Sequence, residues 1–472
     1  MNKTSKEEIC LFQKINFSDK RSLSNSSRFI HTRIIFLFFS LLFVLKLTSC
    51  NTTEPPIITP PPPVVKDTIT ISVESFTHRS ISFNIKSTVH SQQSSIRVLR
   101  SFNSNTIVIA EYPIQTKDTT IIDDDNGTGL LLDTTYTYFA VRVDSLGQLK
   151  DTSNIVTQKT LAPTSHNYTW QEFVIGDAGF SNSLYDVWGT DENNVWAVGG
   201  AQINGKFYGA FHWNGVEWIA DSTVGGSAIY GFNSNDIWVV GGGVYHYENG
   251  NWVLKDIKLN NGSVTILDSV LFANRPYTSV WGTSSSNLYL GNAWGKIIHW
   301  DGSKASVMNV TAESSVEDIW GFSVNDIYAV SGSFLNSYGE LFQFNGNDWS
   351  TIRTGSYTIS QGADTFGPFT SIWGNDASEL YLTGLYIELK INNNWIIDNH
   401  FNKIFYHIRG SASNNIFISG AYGFVAHFNG VDWVQYTLTS QASLVGLQVF
   451  SNQVFIVGYN QNTAFIYRGL RQ

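Results

Sequence analysis

Four polar residues of this chain carry side chains from which a binding or catalytic site could be built: Asp186, Asp318, His407 and Arg409. Paired carboxylates hydrolyse glycosidic bonds when they lie roughly 5–9.5 Å apart. Arginine side chains bind anionic sugars through charge-assisted hydrogen bonds. The four residues are far apart in sequence, so the elements that carry them decide whether they meet.

A repeated phrase organises the chain from Trp188 to Gly458. Each of its seven copies has a residue that we interpret as a turn residue, an aliphatic residue six positions later and then an aromatic residue. The turn residues are Gly189, Gly231, Gly282, Gly321, Gly374, Gly410 and Gln448. The pairs that follow are Val195-Trp196, Ile237-Trp238, Leu288-Tyr289, Ile327-Tyr328, Leu380-Tyr381, Ile416-Phe417 and Val454-Phe455. A polar residue that suits a tight turn precedes each pair, so each copy predicts a strand, a turn and a second strand.

Most copies continue with a second hairpin, for example Trp213-Asn214-Gly215 followed by Trp218. Asn-Gly between apolar runs is a strong signal for a two-residue hairpin loop. Successive copies are 36 to 53 residues apart, close to the roughly 40–50 residues of a four-stranded propeller blade. The sequence therefore predicts an all-β fold with a seven-bladed β-propeller over residues 167–472.

The last copy lacks an outer strand, because only three residues follow Gly469. Tyr168 to Ile175 resemble an unpaired strand ahead of the first copy, and Trp170 matches the outer-strand tryptophan of other copies. An open ring would leave two unpaired sheet edges. We therefore predict that this N-terminal strand completes the seventh blade.

The innermost strands of a propeller line its channel, which is where we expect a site. The residues three positions before each turn residue are Asp186, Ala228, Ser279, Asp318, Ser371, His407 and Val445. Arg409 stands one position before the sixth turn residue, in place of the usual aromatic. Asp186 and Asp318 fall in blades one and four, nearly opposite, so we expect a separation too large for a glycosidase pair. The alternative to a site is a polar lining of a water-filled channel.

Two other groups resemble metal ligands. Asp123-Asp124-Asp125-Asn126-Gly127 has oxygen atoms at alternate positions, but the bidentate carboxylate of an EF-type loop would fall on Thr134. We interpret these residues as a solvated, turn-forming loop. Four histidines occupy equivalent places in different copies: His212, His246, His299 and His427. Because separate blades keep those places apart, we interpret them as structural residues and predict no metal and no cofactor.

Residues 1–49 have the pattern of an export signal. Basic residues extend through Arg33, an apolar stretch runs from Ile34 to Leu45, and Leu47-Thr48-Ser49-Cys50 follow. The apolar stretch is short for a membrane span. The pattern resembles the signal of bacterial lipoproteins, which implies that Cys50 is acylated and becomes the new N-terminus. A long charged region and Lys46 depart from that pattern, and the alternative is an uncleaved signal anchor.

Cys50 is followed by a Pro-rich linker to residue 65, and residues 66–162 alternate as strands do. Leu132-Asp133-Thr134-Thr135-Tyr136-Thr137-Tyr138 resembles the tyrosine-corner region of a fibronectin type III domain, a small β-sandwich. The resemblance implies that Tyr138 caps a turn through its hydroxyl. The core Trp of that family is absent, and Phe83 is the nearest substitute. Such a module serves as a spacer or an interaction arm.

The net charge and the cysteine content limit the kinds of partner and of covalent link that the mature chain can have. From Cys50 onward the chain has 21 basic and 35 acidic residues, a net charge of −14, which argues against a nucleic-acid partner. Cys10 would leave with the signal, so the mature monomer can form no disulfide. We expect a monomer attached to the membrane by its lipid, in the outer membrane of a bacterial envelope, facing either side.

The phrases Trp-Gly, Asn-Asn-Val-Trp-Ala-Val-Gly and His-Trp-Asn-Gly-x-x-Trp over residues 168–472 resemble those of propellers in the photosystem II assembly factor-like group. That resemblance implies protein binding. We therefore expect an envelope-anchored, non-enzymatic binding or scaffold protein with a protein or polysaccharide partner. The alternative is a propeller-type carbohydrate-active enzyme, a glycoside hydrolase or lyase, which would need clustered carboxylates or arginines in one pocket.

Overall fold

The computed structural model describes residues 68–88, 94–114, 118–255, 276–310, 312–335, 338–357, 365–391, 394–438 and 441–472. The predicted signal peptide, Cys50 and the Pro-rich linker lie outside these ranges. Within them the chain is all-β, as predicted, apart from the single 3₁₀ turn Ala421–Gly423. No helix in these ranges is long and apolar enough to cross a bilayer.

The first eight strands form two facing sheets. They are β1 (Ile69–Phe76), β2 (Ile81–Ser87), β3 (Ser94–Phe102), β4 (Asn105–Pro113), β5 (Thr119–Asp123), β6 (Thr135–Asp144), β7 (Leu149–Thr152) and β8 (Val156–Lys159). One sheet has the order β1-β2-β5, and the other has the order β4-β3-β6-β7 with β8 also paired to β6. Alternate residues such as Phe83, Val98 and Tyr138 are buried between the sheets, which is why the sequence alternates here.

The expected role of Tyr138 is wrong, and Tyr136 performs it instead. The hydroxyl of Tyr136 accepts a hydrogen bond from the backbone amide of Leu131 at 3.0 Å. Tyr138, two residues further along β6, points into the same core but reaches Asp123 at 2.8 Å. The two tyrosines share a face of β6, and the one nearer the start of the strand is the one that reaches the preceding loop.

Asp123 is buried rather than solvated, which corrects the expectation for the acidic loop. The guanidinium of Arg100 donates to both carboxylate oxygens of Asp123, at 2.9 and 3.1 Å, and to Asp125 at 2.5 Å. The loop itself turns as predicted, with positive φ at Asp125, Asn126 and Gly127. The acidic residues thus neutralise a buried cation of the sandwich.

Seven further sheets form the predicted propeller, one sheet to a blade. A strand before the first blade is β9 (Tyr168–Ile175). Blades one to three contain β10 (Ser183–Asp191), β11 (Asn194–Ile203), β12 (Lys206–Trp213), β13 (Trp218–Asp221), β14 (Ala228–Asn233), β15 (Asp236–Val240), β16 (Val244–Glu248), β17 (Asn251–Leu254), β18 (Tyr277–Ser284), β19 (Asn287–Asn292), β20 (Ile297–Trp300) and β21 (Ala305–Val307).

Blade four is the one with a fifth short strand, and blade seven borrows its outer strand. The remaining strands are β22 (Val316–Ser323), β23 (Asp326–Ser333), β24 (Tyr338–Phe344), β25 (Trp349–Ser356), β26 (Thr365–Phe366), β27 (Phe369–Asp376), β28 (Glu379–Gly384), β29 (Ile387–Ile391), β30 (Asn394–Asp398), β31 (Phe405–Ala412), β32 (Asn415–Gly420), β33 (Phe424–Phe428), β34 (Trp433–Thr437), β35 (Ser443–Val449), β36 (Gln453–Asn460) and β37 (Thr463–Arg471). The seventh sheet has the order β35-β36-β37-β9, so the N-terminal strand closes the ring as predicted.

The repeated glycines are not turn residues. Gly189 lies inside β10 and pairs with Val195, and the turn follows at residues 192–193. A Cβ on Gly231 would lie 2.6 Å from the ring of Trp188 in the preceding blade, and Gly321 stands in the same relation to Trp281. Glycine is therefore required for the close approach of neighbouring blades.

The register of the seventh copy also differs from the prediction. Gln448 pairs with Phe455 in the position that Trp188 has in blade one, and Val449 takes the glycine position. The residue equivalent to Asp186 is consequently Gly446 rather than Val445. The hairpin between β35 and β36 is shorter than the others, which counting from the aromatic residues could not detect.

The second hairpins have longer loops than predicted. Trp213 pairs with Trp218, so four residues connect β12 and β13. The side chain of Asn214 accepts hydrogen bonds from the amides of Val216 and Glu217, both at 2.9 Å, and Gly215 has a φ of +93°. The Asn-Gly signal marked the turn correctly but not its length.

The sandwich and the propeller belong to one compact unit, Val65–Gln472. The amide of His78 donates to the hydroxyl of Ser413 at 3.0 Å, and the amide of Thr164 donates to the carbonyl of Asn429 at 3.1 Å. Both propeller residues lie in hairpin turns of blade six. The sandwich thus packs on the face of the propeller where each inner strand ends.

Candidate binding site in the propeller channel

The inner strands share a position whose side chain reaches the next blade. Asp186 accepts a hydrogen bond from the amide of Ile229 at 3.0 Å, and Asp318 accepts one from Ile372 at 3.0 Å. The other two contacts of this kind join Ser371 to the amide of Ile408 (3.3 Å) and His407 to the amide of Leu447 (3.0 Å). The inner strands of neighbouring blades are not hydrogen-bonded to each other through their backbones. These side chains therefore accept hydrogen bonds from backbone amides that have no partner within their own sheet.

Asp318 and Arg409 form a bidentate ion pair that spans from blade four to blade six. The two terminal nitrogens of Arg409 lie 2.8 and 2.9 Å from the two oxygens of Asp318. Ser371 donates to the same carboxylate at 2.6 Å, and the amides of Ile319 and Ile372 also donate to it. Five donors thus occupy the carboxylate, and Arg409 further donates to two backbone carbonyls and stacks over Trp320.

The protonation of this network follows from its neighbours. Burial acts to raise the pKa of Asp318, but the charge and hydrogen bonds of Arg409 outweigh it, and the pKa lies below its ordinary value. Burial and then the charge of Arg409 lower the pKa of His407 to about 3. His407 is therefore neutral, and its Nδ1 accepts the hydrogen bond from Leu447. Near neutral pH the network is one closed pair of opposite charges.

Asp186 has the same place in the repeat but no ion-pair partner among the described residues. Its oxygens accept hydrogen bonds from the amides of Val187 and Ile229, at 2.9 and 3.0 Å. Burial raises the pKa of Asp186 to about 7, although the hydrogen bond from Ile229 and the charge of Arg409 act in the other direction. The charge of Asp318 also contributes to this rise. The two carboxylates are therefore within electrostatic reach of each other, although they stand in blades one and four.

All seven blades line one open cavity of about 900 Å³. The four residues predicted from sequence, Asp186, Asp318, His407 and Arg409, all contribute to its wall. The aromatic residues directly before the repeated glycines also line the cavity, and they are Trp188, Tyr230, Trp281 and Trp320. The structure thus places the four candidate residues around one cavity, and their role in binding stays a prediction.

A second ring of residues, which the repeat did not predict, also lines the cavity. In six blades the inner strand has a bulge one position before the bridging residue, and the bulged residues are Tyr185, Thr278, Glu317, Thr370, Tyr406 and Val445. All six line the cavity, because a bulge places two successive side chains on one side of a strand. Burial raises the pKa of Glu317 to about 7, and the charge of Asp318 adds to the effect.

The histidines expected to be structural each contact partners within their own blade. His212 donates or accepts a hydrogen bond with Asn194 at 2.7 Å and stacks on Trp196 at 4.3 Å. His246, His299 and His427 repeat this arrangement with Asp236, Asn287 and Asn415. Each thereby ties the third strand of a blade to its second strand.

Neither a protein-family model nor a curated protein matches this chain. Solved propellers are similar to it in chain arrangement. The structure of YCF48 bound to D1 peptide is 15% identical, covers 66% of this chain and 97% of its own, and has a TM-score of 0.47. YCF48 from Cyanidioschyzon merolae is 14% identical over 63% of this chain and 98% of its own, with a TM-score of 0.43. A quinonprotein alcohol dehydrogenase-like protein from Bacteroides thetaiotaomicron is 8% identical over 84% and 94%, with a TM-score of 0.35. These similarities identify neither a ligand nor a reaction.

Proposed function

We propose that this chain is a lipoprotein of the bacterial cell envelope that binds a protein or polysaccharide partner in its propeller channel without catalysing a reaction. The observation that carries the proposal is the open cavity of about 900 Å³. Its central ion pair is fully used in joining blades four to six, whereas Asp186 and Glu317 face the cavity without an ion-pair partner among the described residues. The cavity therefore has polar groups to offer to a ligand.

The anchor belongs to the same proposal. Lipid on Cys50 and the Pro-rich linker would hold the chain at the outer membrane, and the sandwich of residues 66–162 would act as a fibronectin type III-like spacer. The contact between Tyr136 and Leu131 supports this comparison, because a tyrosine corner uses such a bond. Labelled palmitate should be incorporated into the full chain and into a Cys10→Ala variant, but not into Cys50→Ala. Equal labelling of all three would contradict the anchor.

Partner binding can be tested by placing a photo-crosslinking residue at Tyr406, which lines the cavity. The matched control places it at Glu217, in an exposed hairpin loop of blade one. We expect a discrete crosslinked partner from the first position and not from the second, in cells that express the full chain. Identical products from the two positions would argue against the channel as the binding site.

One observation favours the enzymatic alternative. Asp186 and Glu317 are two carboxyl groups in one cavity, and burial raises the pKa of each to about 7, near the pH at which a general acid or base works best. Incubation with envelope and dietary glycans, followed by product detection, distinguishes the two functions. Turnover that is lost in Glu317→Gln would establish the enzyme, whereas capture without turnover supports the binding protein.

A further inference from the structure

The channel cavity is acidic once its internal ion pair is set aside. Its charged lining residues are Asp186, Glu313, Glu317, Asp318 and Arg409. Arg409 is neutralised by Asp318 at 2.8 and 2.9 Å. The remaining three carboxylates form no ion pair with a described residue. An entering cation can therefore pair with carboxyl groups whose charge no described residue compensates.

The rim of the cavity is apolar and exposed. Phe334 and Leu335 lie in the turn after the second strand of blade four, and 96% of the surface of Leu335 is exposed. Tyr406 of blade six contacts Phe334 edge to face at 6.4 Å between ring centres. Tyr185 of blade one, 41% exposed, lies at the same level. Exposed aromatic groups around a pocket are typical of a surface that docks another molecule.

The mouth opens on the face opposite the sandwich. Inner strand β31 begins at Phe405, next to the mouth residue Tyr406, and ends just before Ser413, which contacts the sandwich. Because the inner strands run from the mouth toward the sandwich-bound turns, a ligand reaches the cavity without crossing the sandwich.

We propose that the mouth docks an exposed segment of a protein partner that inserts a lysine or arginine side chain among Asp186, Glu313 and Glu317. This inference rests on the proposed binding function and specifies its ligand. The apolar rim would contact the residues that flank the inserted cation, and the rings of Tyr185 and Tyr406 suit its aliphatic stem and its charge. An anionic ligand is disfavoured because Arg409 is already paired.

The test uses immobilised heptapeptides, acetylated and amidated, with randomised flanks and a fixed central residue: lysine, arginine, norleucine or glutamate. Norleucine matches the lysine stem without its charge. We expect the immobilised lysine and arginine pools to retain the full-length chain, in detergent, about ten-fold better than the norleucine pool does, and the glutamate pool to retain it least. Glu317→Gln should reduce this preference several-fold, whereas the matched charge change Glu217→Gln, on the exposed loop of blade one, should not.

Two results would overturn the inference. Equal retention of the chain by the lysine and norleucine pools would mean that the mouth docks peptides without selecting for charge. An unchanged lysine preference in both Glu317→Gln and Asp186→Asn would place the cation elsewhere. Either result leaves the binding function intact if crosslinking from Tyr406 still captures a partner. Loss of that capture together with glycan turnover would overturn the binding function itself.

Discussion

Asp186 and Asp318 occupy the same position of the repeat but have opposite electrostatic properties. Each accepts the amide of the next inner strand at 3.0 Å. Asp318 also accepts hydrogen bonds from the hydroxyl of Ser371 and the guanidinium of Arg409, and the charge of Arg409 lowers its pKa. Among the described residues, Asp186 accepts hydrogen bonds from backbone amides alone, and burial raises its pKa to about 7. The comparison shows that repeat position decides the backbone contact, while neighbouring blades decide the charge.

The cause of the difference is one departure from the repeat in blade six. Where blades one and five have Trp188 and Trp373, blade six has Arg409. Elsewhere in the ring an aromatic residue at that place packs on the glycine of the following blade, as Trp188 does on Gly231. Blade seven has Val449 in place of that glycine, and Arg409 extends its guanidinium to the carboxylate of blade four. The ion pair thereby ties the channel wall between blades four and six together. The carboxyl group of Asp186 in blade one has no ion-pair partner among the described residues and remains available to a ligand.

The largest effect is expected from Arg409→Ala. This change leaves the carboxylate of Asp318 buried without its counter-charge, and such losses destabilise proteins by about 3–5 kcal/mol. Urea unfolding of the variant should show that decrease with an unchanged slope. A decrease below about 1 kcal/mol would mean that water replaces the guanidinium.

A double variant sharpens this result. Arg409→Trp with Asp318→Ser gives blades four and six the side chains that blade five has as Trp373 and Ser371. We expect the pair to recover most of the lost stability, so that the two changes are strongly non-additive. Additive losses would show that the ion pair does not couple the two blades.

Asparagine substitutions compare the two carboxylates directly. Asp318→Asn leaves Arg409 buried with an unpaired charge and should cost about 2–3 kcal/mol of unfolding free energy at neutral pH. Asp186→Asn removes no ion pair and should cost less than about 1 kcal/mol. Thermal unfolding of both variants and the parent measures the two losses of unfolding free energy side by side. Equal losses would contradict the distinction between a closed and an open carboxylate.

The blades could be predicted because their cause is local. Alternation, turn residues and the spacing of aromatics act within about 40–50 residues, and they determine the strand order within each blade. The closure by β9 is a long-range pairing, and it could be predicted because the seventh copy lacks an outer strand. The same rule of alternation failed at Glu317 and Tyr406, because a bulge reverses which side of the strand a residue faces. The sequence signal was present in the tyrosines Tyr185 and Tyr406 at equivalent places.

The ion pair could not be predicted from spacing. Asp318 and Arg409 belong to blades that are not neighbours, and only the closed ring brings them together across blade five. The sequence marked Arg409 as unusual, but it gave no partner. For the same reason the repeat placed Asp186 and Asp318 too far apart for a glycosidase pair but could not show that the charge of Asp318 raises the pKa of Asp186.

The pH dependence of stability should have opposite signs at the two residues. The pKa of Asp186 is raised on folding, so its favourable contribution is complete below its ordinary pKa and is lost as the pH rises toward 7. The pKa of Asp318 is lowered, so its contribution is complete above its ordinary pKa and is lost as the pH falls below that value. Unfolding of the parent, Asp186→Asn and Asp318→Asn from pH 3 to pH 8 measures both: relative to the parent, Asp186→Asn should gain stability as the pH rises, and Asp318→Asn should lose it. Parallel profiles for the three proteins would contradict the assignment.

A smaller effect than that of Asp318→Asn is expected from Ser371→Ala. Its hydroxyl donates to Asp318 at 2.6 Å, and the loss of one donor out of five should cost about 1–2 kcal/mol, as for a hydrogen bond to a charged group. The matched control is Ser279→Ala, because Ser279 has the same repeat position in blade three but donates to the neutral carbonyl of Val316 at 3.0 Å. The control should cost about 1 kcal/mol or less. The excess at Ser371 should disappear when Arg409 and Asp318 are replaced together by Trp and Ser, since no charge then remains for the hydroxyl to stabilise. An excess that survives that replacement would assign the contribution of Ser371 to its contact with the amide of Ile408 instead.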